Sequence, residues 1–180
     1  MDSEQIEVLV LRAQEGKRGA MTALYGHFFT PMKRYAMLRV RDMALAEDLV
    51  QNVWLKVGKR LRLMNDARVF RSWLYRALRW EIIDWARRQS KVEVASVDSL
   101  TAENGYEEAA IAYNYRPDIE DVAPLLAALK KEEREVMELF YLSELSVNET
   151  ALVLSIPVGT VKSRLHGARE KLRHIYANEE

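Results

Sequence analysis

The sequence predicts an all-α protein: two small helical domains joined by a flexible acidic linker, the second containing a helix-turn-helix. Three observations carry that expectation. Gly and Pro number only 7 and 4 in 180 residues, which favours helices over the turn-rich connections of sandwiches and barrels. Apolar residues recur at helical spacing on both sides of the chain's middle, and the period is lost between residues 92 and 119. Charge is segregated, although the formal net charge is zero. Residues 56–91 hold 11 Lys and Arg against 3 acids, residues 92–121 hold 8 acids against one Arg, and residues 157–176 hold 5 Lys and Arg against one acid. An overall neutral chain thus conceals two basic blocks flanking an acidic one, a distribution suited to nucleic acid.

The first domain is expected over residues 1–91. Leu45, Leu49, Val53, Val57 and Leu61 recur every four residues, with Ala46, Val50 and Trp54 widening the stripe. Met64, Asn65 and Asp66 then break the pattern, because short polar side chains favour turns and caps. A second stripe runs through Phe70, Trp73, Leu74, Ala77, Leu78, Ile82 and Trp85. Its spacing makes Trp73 and Trp85 core residues. The linker is expected over 92–119, with Asn104-Gly105 and Arg116-Pro117 as breakers; a short helix around 107–113 would be compatible with it.

The second domain is expected over 120–180. Leu125, Leu126 and Leu129 form one apolar face, and Val136, Leu139 and Phe140 the next. Ser146-Val147-Asn148-Glu149 has the form of a capping box, with Ser146 as N-cap and Glu149 three positions on. It opens a short helix through Leu154. Ser155-Ile156-Pro157 breaks that helix, and Pro157 suits the first turn of the next. The last helix buries Val161, Leu165, Ala168, Leu172 and Ile175. Thr160, Lys162, Ser163, Arg164, Arg169 and Arg173 fall on its other face. A short helix, a tight turn and a longer helix with a basic exposed face describe a helix-turn-helix.

Catalysis has little footing. There is no cysteine, hence no disulfide and no thiolate metal site. His27, His166 and His174 form no His-x-x-x-His pair and are not expected to hold a metal. Neither a Gly-rich phosphate loop nor a nucleophile elbow is present, so neither enzyme activity nor a cofactor or metal is expected. The first residues lack the basic n-region of a signal peptide. No apolar run approaches the ~20 residues that cross a bilayer. The expected location is the cytoplasm, without membrane insertion.

The strongest functional signal lies in residues 156–165. Val161 and Leu165 anchor the helix, which leaves Gly159, Thr160, Lys162, Ser163 and Arg164 at its leading end. A glycine removes bulk where backbone approaches phosphate, and free N–H groups at a helix start attract an anion. Arg164 suits a guanine edge in the major groove, Lys162 a phosphate.

This segment, with Arg134-Glu135-Val136 and Glu149 upstream, resembles the second DNA-binding domain of sigma-70 family factors, specifically the compact extracytoplasmic-function (ECF) group. Residues 46–54 (Ala-Glu-Asp-Leu-Val-Gln-Asn-Val-Trp) resemble the family's core-polymerase-binding helix. Residues 70–77 and 83–88 resemble its promoter-melting and promoter-element helices. The resemblance covers about residues 20–91 and 120–176. It implies core-polymerase binding by Asp48, Gln51 and Asn52, which on their own would be ordinary solvated helix surface. For the downstream promoter element and melting it implies Asn65, Asp66, Arg68, Arg71, Arg76, Arg79, Trp80, Arg87 and Arg88. For the upstream element it implies Gly159, Thr160, Lys162, Ser163, Arg164 and Arg169. The implied partners are core RNA polymerase, promoter DNA and an anti-sigma factor. There are departures from the family's pattern: Ser155 stands where Gly is usual and Trp80 where Asn is common, while the 63–67 loop lacks Phe-Arg-Gly-Asp. Gly167 inside the last helix costs it about 1 kcal/mol relative to Ala. Two other functions fit parts of the sequence: an operator-binding regulator, which would leave residues 46–54 unexplained, and a sigma mimic that sequesters an anti-sigma protein, which should have lost the basic face at Arg87, Arg88, Lys162 and Arg164.

Overall fold

The computed structural model describes residues 1–96 and 123–177. Among them there are helices and no strands: α1 (Ser3–Gln14), α2 (Arg18–Val40), α3 (Met43–Arg60), α4 (Phe70–Ser96), α5 (Ala123–Ala127), α6 (Lys131–Met137), α7 (Val147–Leu154) and α8 (Val158–Ala177). Short 3₁₀ turns at Leu61–Leu63 and Ala67–Val69 join α3 to α4, and a π-helical segment, Glu138–Leu142, continues α6. The bulk of the acidic linker, and the 107–113 segment within it, lie outside the described residues; α4 itself continues through Ser96.

Each start and stop has a local cause. Asp2 caps α1, accepting from Gln5 N–H at 2.8 Å while the Gln5 side chain accepts from Asp2 N–H at 3.2 Å, a capping box. Asp42 caps α3 by accepting from Leu45 N–H at 3.0 Å. Ser146 and Glu149 form the reciprocal box expected of them: Glu149 N–H donates to Ser146 Oγ at 3.2 Å, and Ser146 N–H to Glu149 Oε2 at 2.8 Å. Arg41 ends α2 and Ser155 ends α7, both left-handed, with φ of 54° and 55°. Pro157 stands just before α8 rather than inside it, its carbonyl accepting from Thr160 and Val161 N–H at 3.0 and 3.2 Å.

Helices α1 to α4 enclose Leu24, Met32, Val50, Val53, Phe70, Leu74 and Leu78, all fully buried. Trp73 and Trp85 are half-buried and pack on this core, as the stripe spacing predicts. In the second domain Leu126, Leu129 and Ala168 form a small cluster between α5 and α8. The larger part of that domain's apolar surface, including Val136, Leu139, Leu145, Ala151 and Val161, joins the core of the first. Helix α7 lies along α4, and the π segment lies on α2. The helix-turn-helix is thereby mounted on the first domain with its last helix turned outward.

Candidate nucleic-acid interface

Helix α8 buries Val161, Leu165 and Ala168. That orientation leaves Gly159, Lys162, Ser163 and Arg169 exposed, with Thr160 and Arg164 half-buried at the edge. Nothing lies within 4 Å of a Cβ placed on Gly159, so the protein itself does not require a glycine there. Ser163 Oγ donates to Thr160 O at 3.0 Å, and Arg169 Nε donates to Tyr141 Oη at 2.8 Å. Lys162 and Arg164 make no hydrogen bond or ion pair among the described residues. At 100° per residue they diverge by about 160° around the helix, Lys162 on the flank of Arg169 and Arg164 on the flank of Lys171. Gly167 also has a local reason: a Cβ there would lie 3.3 Å from Glu133 Oε1. That carboxylate accepts from Lys171 Nζ at 2.8 Å, and the hydrogen bond holds it below the ordinary glutamate range. A larger residue at position 167 would require the Glu133 carboxylate to shift by a few tenths of an ångström.

In the first domain the cations expected at DNA differ in their state. Arg76 is exposed and unpaired among the described residues. Trp80 beside it is 52% exposed, a free ring face in a basic neighbourhood. Arg87 and Arg88 are exposed, Arg88 paired with Asp84 one turn back. Arg79 Nε instead donates to Glu135 Oε1 at 2.8 Å. Arg71 donates through Nη2 to the carbonyl of Glu144 at 2.5 Å, its Nε standing 3.6 Å from Glu149. Both arginines therefore face acids of the second domain.

The loop between α3 and α4 presents Leu63, 77% exposed, and the exposed amide of Asn65. Asp66 and Arg68 are paired with each other. Asp66 caps the following turn through Arg68 N–H (3.0 Å) and binds the Arg68 guanidinium at 2.9 Å on each carboxylate oxygen. That hydrogen bonding draws its carboxyl below the usual aspartate range. Gln14 of α1 reaches the same loop: its Nε2 donates to Leu61 O at 2.9 Å and to Met64 O at 2.8 Å.

On α3, Ala46, Leu49, Val50, Val53 and Val57 are buried, and Asp48, Gln51 and Asn52 are exposed together on the opposite face. Leu55, one turn further, is 67% exposed. An apolar side chain bordered by polar ones is the composition of a docking patch centre. Sequence patterning did not single out Leu55, which lies outside the stripe. It also missed α1, although Asp2 and Gln5 spell its capping box.

A capped helix, a tight left-handed turn and an outward helix with cations at its leading end that are unpaired among the described residues define a DNA-binding protein of helix-turn-helix type, carried on a second helical domain. Residues 24–92 match the family model described as Sigma-70 region 2, and residues 119–172 the one described as Sigma-70, region 4. The ECF RNA polymerase sigma factor SigL of Mycobacterium tuberculosis is 34% identical over 89% of this chain and 91% of its own length. RNA polymerase sigma factor SigZ of Bacillus subtilis is 30% identical over 84% of each. The chain belongs to the sigma-70 family, in its ECF group, and is a transcription initiation factor that works with core RNA polymerase and promoter DNA. Proteins of this family are not, in general, enzymes. Two solved structures share the fold: CnrH in complex with the cytosolic domain of CnrY, with a TM-score of 0.68 at 23% identity over 98% of this chain and 99% of that one, and RpoE of Bartonella quintana in complex with the anti-sigma factor NepR, at 0.64 and 21% over 88% and 98%. Among the described residues no helix is long and apolar enough to cross a membrane.

Proposed function

We propose that this sigma factor divides its work among three surfaces. The outer face of α3, with Asp48, Gln51, Asn52 and Leu55, docks on core polymerase. The 61–66 loop and the cationic face of α4, with Asn65, Asp66, Arg68, Arg76, Trp80, Arg87 and Arg88, meet the downstream promoter element, where unstacked bases need an aromatic face and neutralised phosphates. The leading end of α8, with Gly159, Thr160, Lys162, Ser163 and Arg164, enters the major groove of the upstream element. Arg169 reaches phosphate on leaving Tyr141. Arg71 and Arg79 contribute only after exchanging Glu144, Glu149 and Glu135 for phosphate oxygens, so DNA engagement by α4 competes with its contact to the second domain. The protein acts in the cytoplasm. An anti-sigma factor is its expected regulator; the solved RpoE is in complex with one, NepR.

The observation that carries this reading is the pair of cations, Lys162 and Arg164, at the exposed start of α8, which have no partner among the described residues. Multi-round transcription with purified core polymerase on a library of promoter fragments tests it. Transcripts should depend on the added protein and arise from fragments sharing two spaced elements. Transcripts that do not depend on the upstream element would remove the leading end of α8 as its reader.

A further inference from the structure

The 61–66 loop has few bonds of its own. Met64 N–H donates to Leu61 O at 3.1 Å, and Asp66 turns forward to Arg68. Leu61 is buried and Met64 packs on the core, which anchors the loop's two feet. Leu63 and Asn65 project outward between and beyond them. Both feet expose a carbonyl toward α1, and one side chain satisfies both. Gln14 is half-buried at the last position of α1, 47 and 50 residues away in sequence. An amide –NH₂ carries two hydrogens, one for each carbonyl, at 2.9 and 2.8 Å. The chain then turns at Gly16, φ +85°, where the Arg62 guanidinium lies 3.5 Å from the position of a Cβ. Helix α1 thus abuts the loop with its C-terminal end. It lies outside the residues that match either family model.

We infer that Gln14 is a positioning residue for promoter selection: by bridging Leu61 O and Met64 O it sets the shape of the 61–66 loop, and with it the base preference of the downstream element. This rests on the reading that the loop touches that element. Without the amide hydrogens Leu61 O keeps the Met64 N–H, but the part-buried Met64 O loses its side-chain donor and is drawn toward water, so their removal changes the loop before it changes the fold. Ile6, Val10 and Ala13, not Gln14, hold α1 on the core.

The test uses full-length protein reconstituted with core polymerase on a library randomised separately at the two elements. Gln14→Met keeps chain length and volume without a donor; Gln14→Glu places an acceptor against two carbonyls. Asn65→Ala reports independently whether the loop reads DNA. The expected result is that both Gln14 variants lose discrimination at the downstream element on the order of fivefold, the size expected for one lost hydrogen bond. Upstream preference and helical content should be retained, and Gln14→Glu should lose the most. If Asn65→Ala alters downstream preference while both Gln14 variants keep the wild-type one, the inference about Gln14 fails and the loop reading stands. Equal loss at both elements with a lowered melting temperature would reduce Gln14 to a stability role and also overturns the inference. If Asn65→Ala and the Gln14 variants all leave downstream preference unchanged, the loop reading itself falls.

Discussion

Arg164 and Lys162 sit two positions apart on α8 and leave the helix on opposite flanks, so substitution should separate their roles. A guanidinium can hold a guanine edge with two hydrogen bonds, contributing about 1–3 kcal/mol of discrimination. Arg164→Ala should relax preference at one or two upstream base pairs. An ammonium on phosphate carries no sequence information, so Lys162→Ala should weaken all promoters alike and reduce the salt slope by about 1. Neither residue belongs to the buried Val161–Leu165–Ala168 face, and the melting temperature should hardly move. Binding of both variant holoenzymes to single-base variants of the upstream element, at two salt concentrations, checks this. An unchanged rank order for Arg164→Ala would leave Arg164 a phosphate contact. At this scale the sequence told which residue types stand where, because helical period alone places Lys162 and Arg164 outside the core. It did not tell which cations are already spoken for. Arg71 and Arg79 look like Arg76 in the sequence, but their acids lie 56 or more positions away, and no local pattern encodes such a pairing.

At the scale of elements, the helix-turn-helix was legible because its punctuation is local. Ser146 and Glu149 cap α7, and the turn is marked by Pro157. Ser155 is the exception. It is the position where the family usually has Gly, and here it adopts φ 55°, ψ 44° with its N–H donating to Ala151 O. That left-handed conformation costs an L-residue about 1–2 kcal/mol relative to glycine. Part of the gain from a glycine is offset by its greater freedom in the unfolded chain. Ser155→Gly should therefore stabilise the second domain by about 0.5–1 kcal/mol, read as a higher urea midpoint with unchanged slope. A lower midpoint would mean that the Ser155 side chain makes a compensating contact. The short α1 was not legible, since its buried face is only Ile6, Val10 and Ala13 and polar residues surround them. Its capping box was present, but a box gains meaning only when an apolar run of some length follows it. Gly167 shows the converse: a residue that looks like a local fault in α8 has the Glu133 carboxylate of another element close to where a Cβ would stand.

Over the whole molecule, the feature absent from any local reading is the seam between the domains. Its centre is Glu138, 3% exposed in the π segment, paired with Arg39 of α2. Arg39 stacks 3.7 Å above the Tyr35 ring and lies 3.9 Å from Glu135, which in turn holds Arg79. Burial pushes the Glu138 carboxyl above the ordinary glutamate range, and the charge of Arg39 pulls it back. Such a pair adds little net stability against an apolar substitute, but removing one partner strands the other charge. Arg39→Met should consequently cost about 3–5 kcal/mol, whereas Arg39→Met with Glu138→Leu should recover most of that loss. Urea unfolding of the wild type, both single variants and the double variant gives the coupling directly. The two singles should not be equivalent. Arg39→Met leaves a buried carboxylate whose charged form is already disfavoured, and it can relieve the defect by taking up a proton. Glu138 then stabilises the packed state in its protonated form below its unfolded pKa, and that contribution is lost as pH rises through its raised folded value. The penalty of Arg39→Met should accordingly be smaller at pH 5 than at pH 8, while the double variant, with neither group, should show no such difference. A loss under about 1 kcal/mol for Arg39→Met at pH 8, the size of an exposed pair, would mean that Glu138 is hydrated and the domains stand apart in solution.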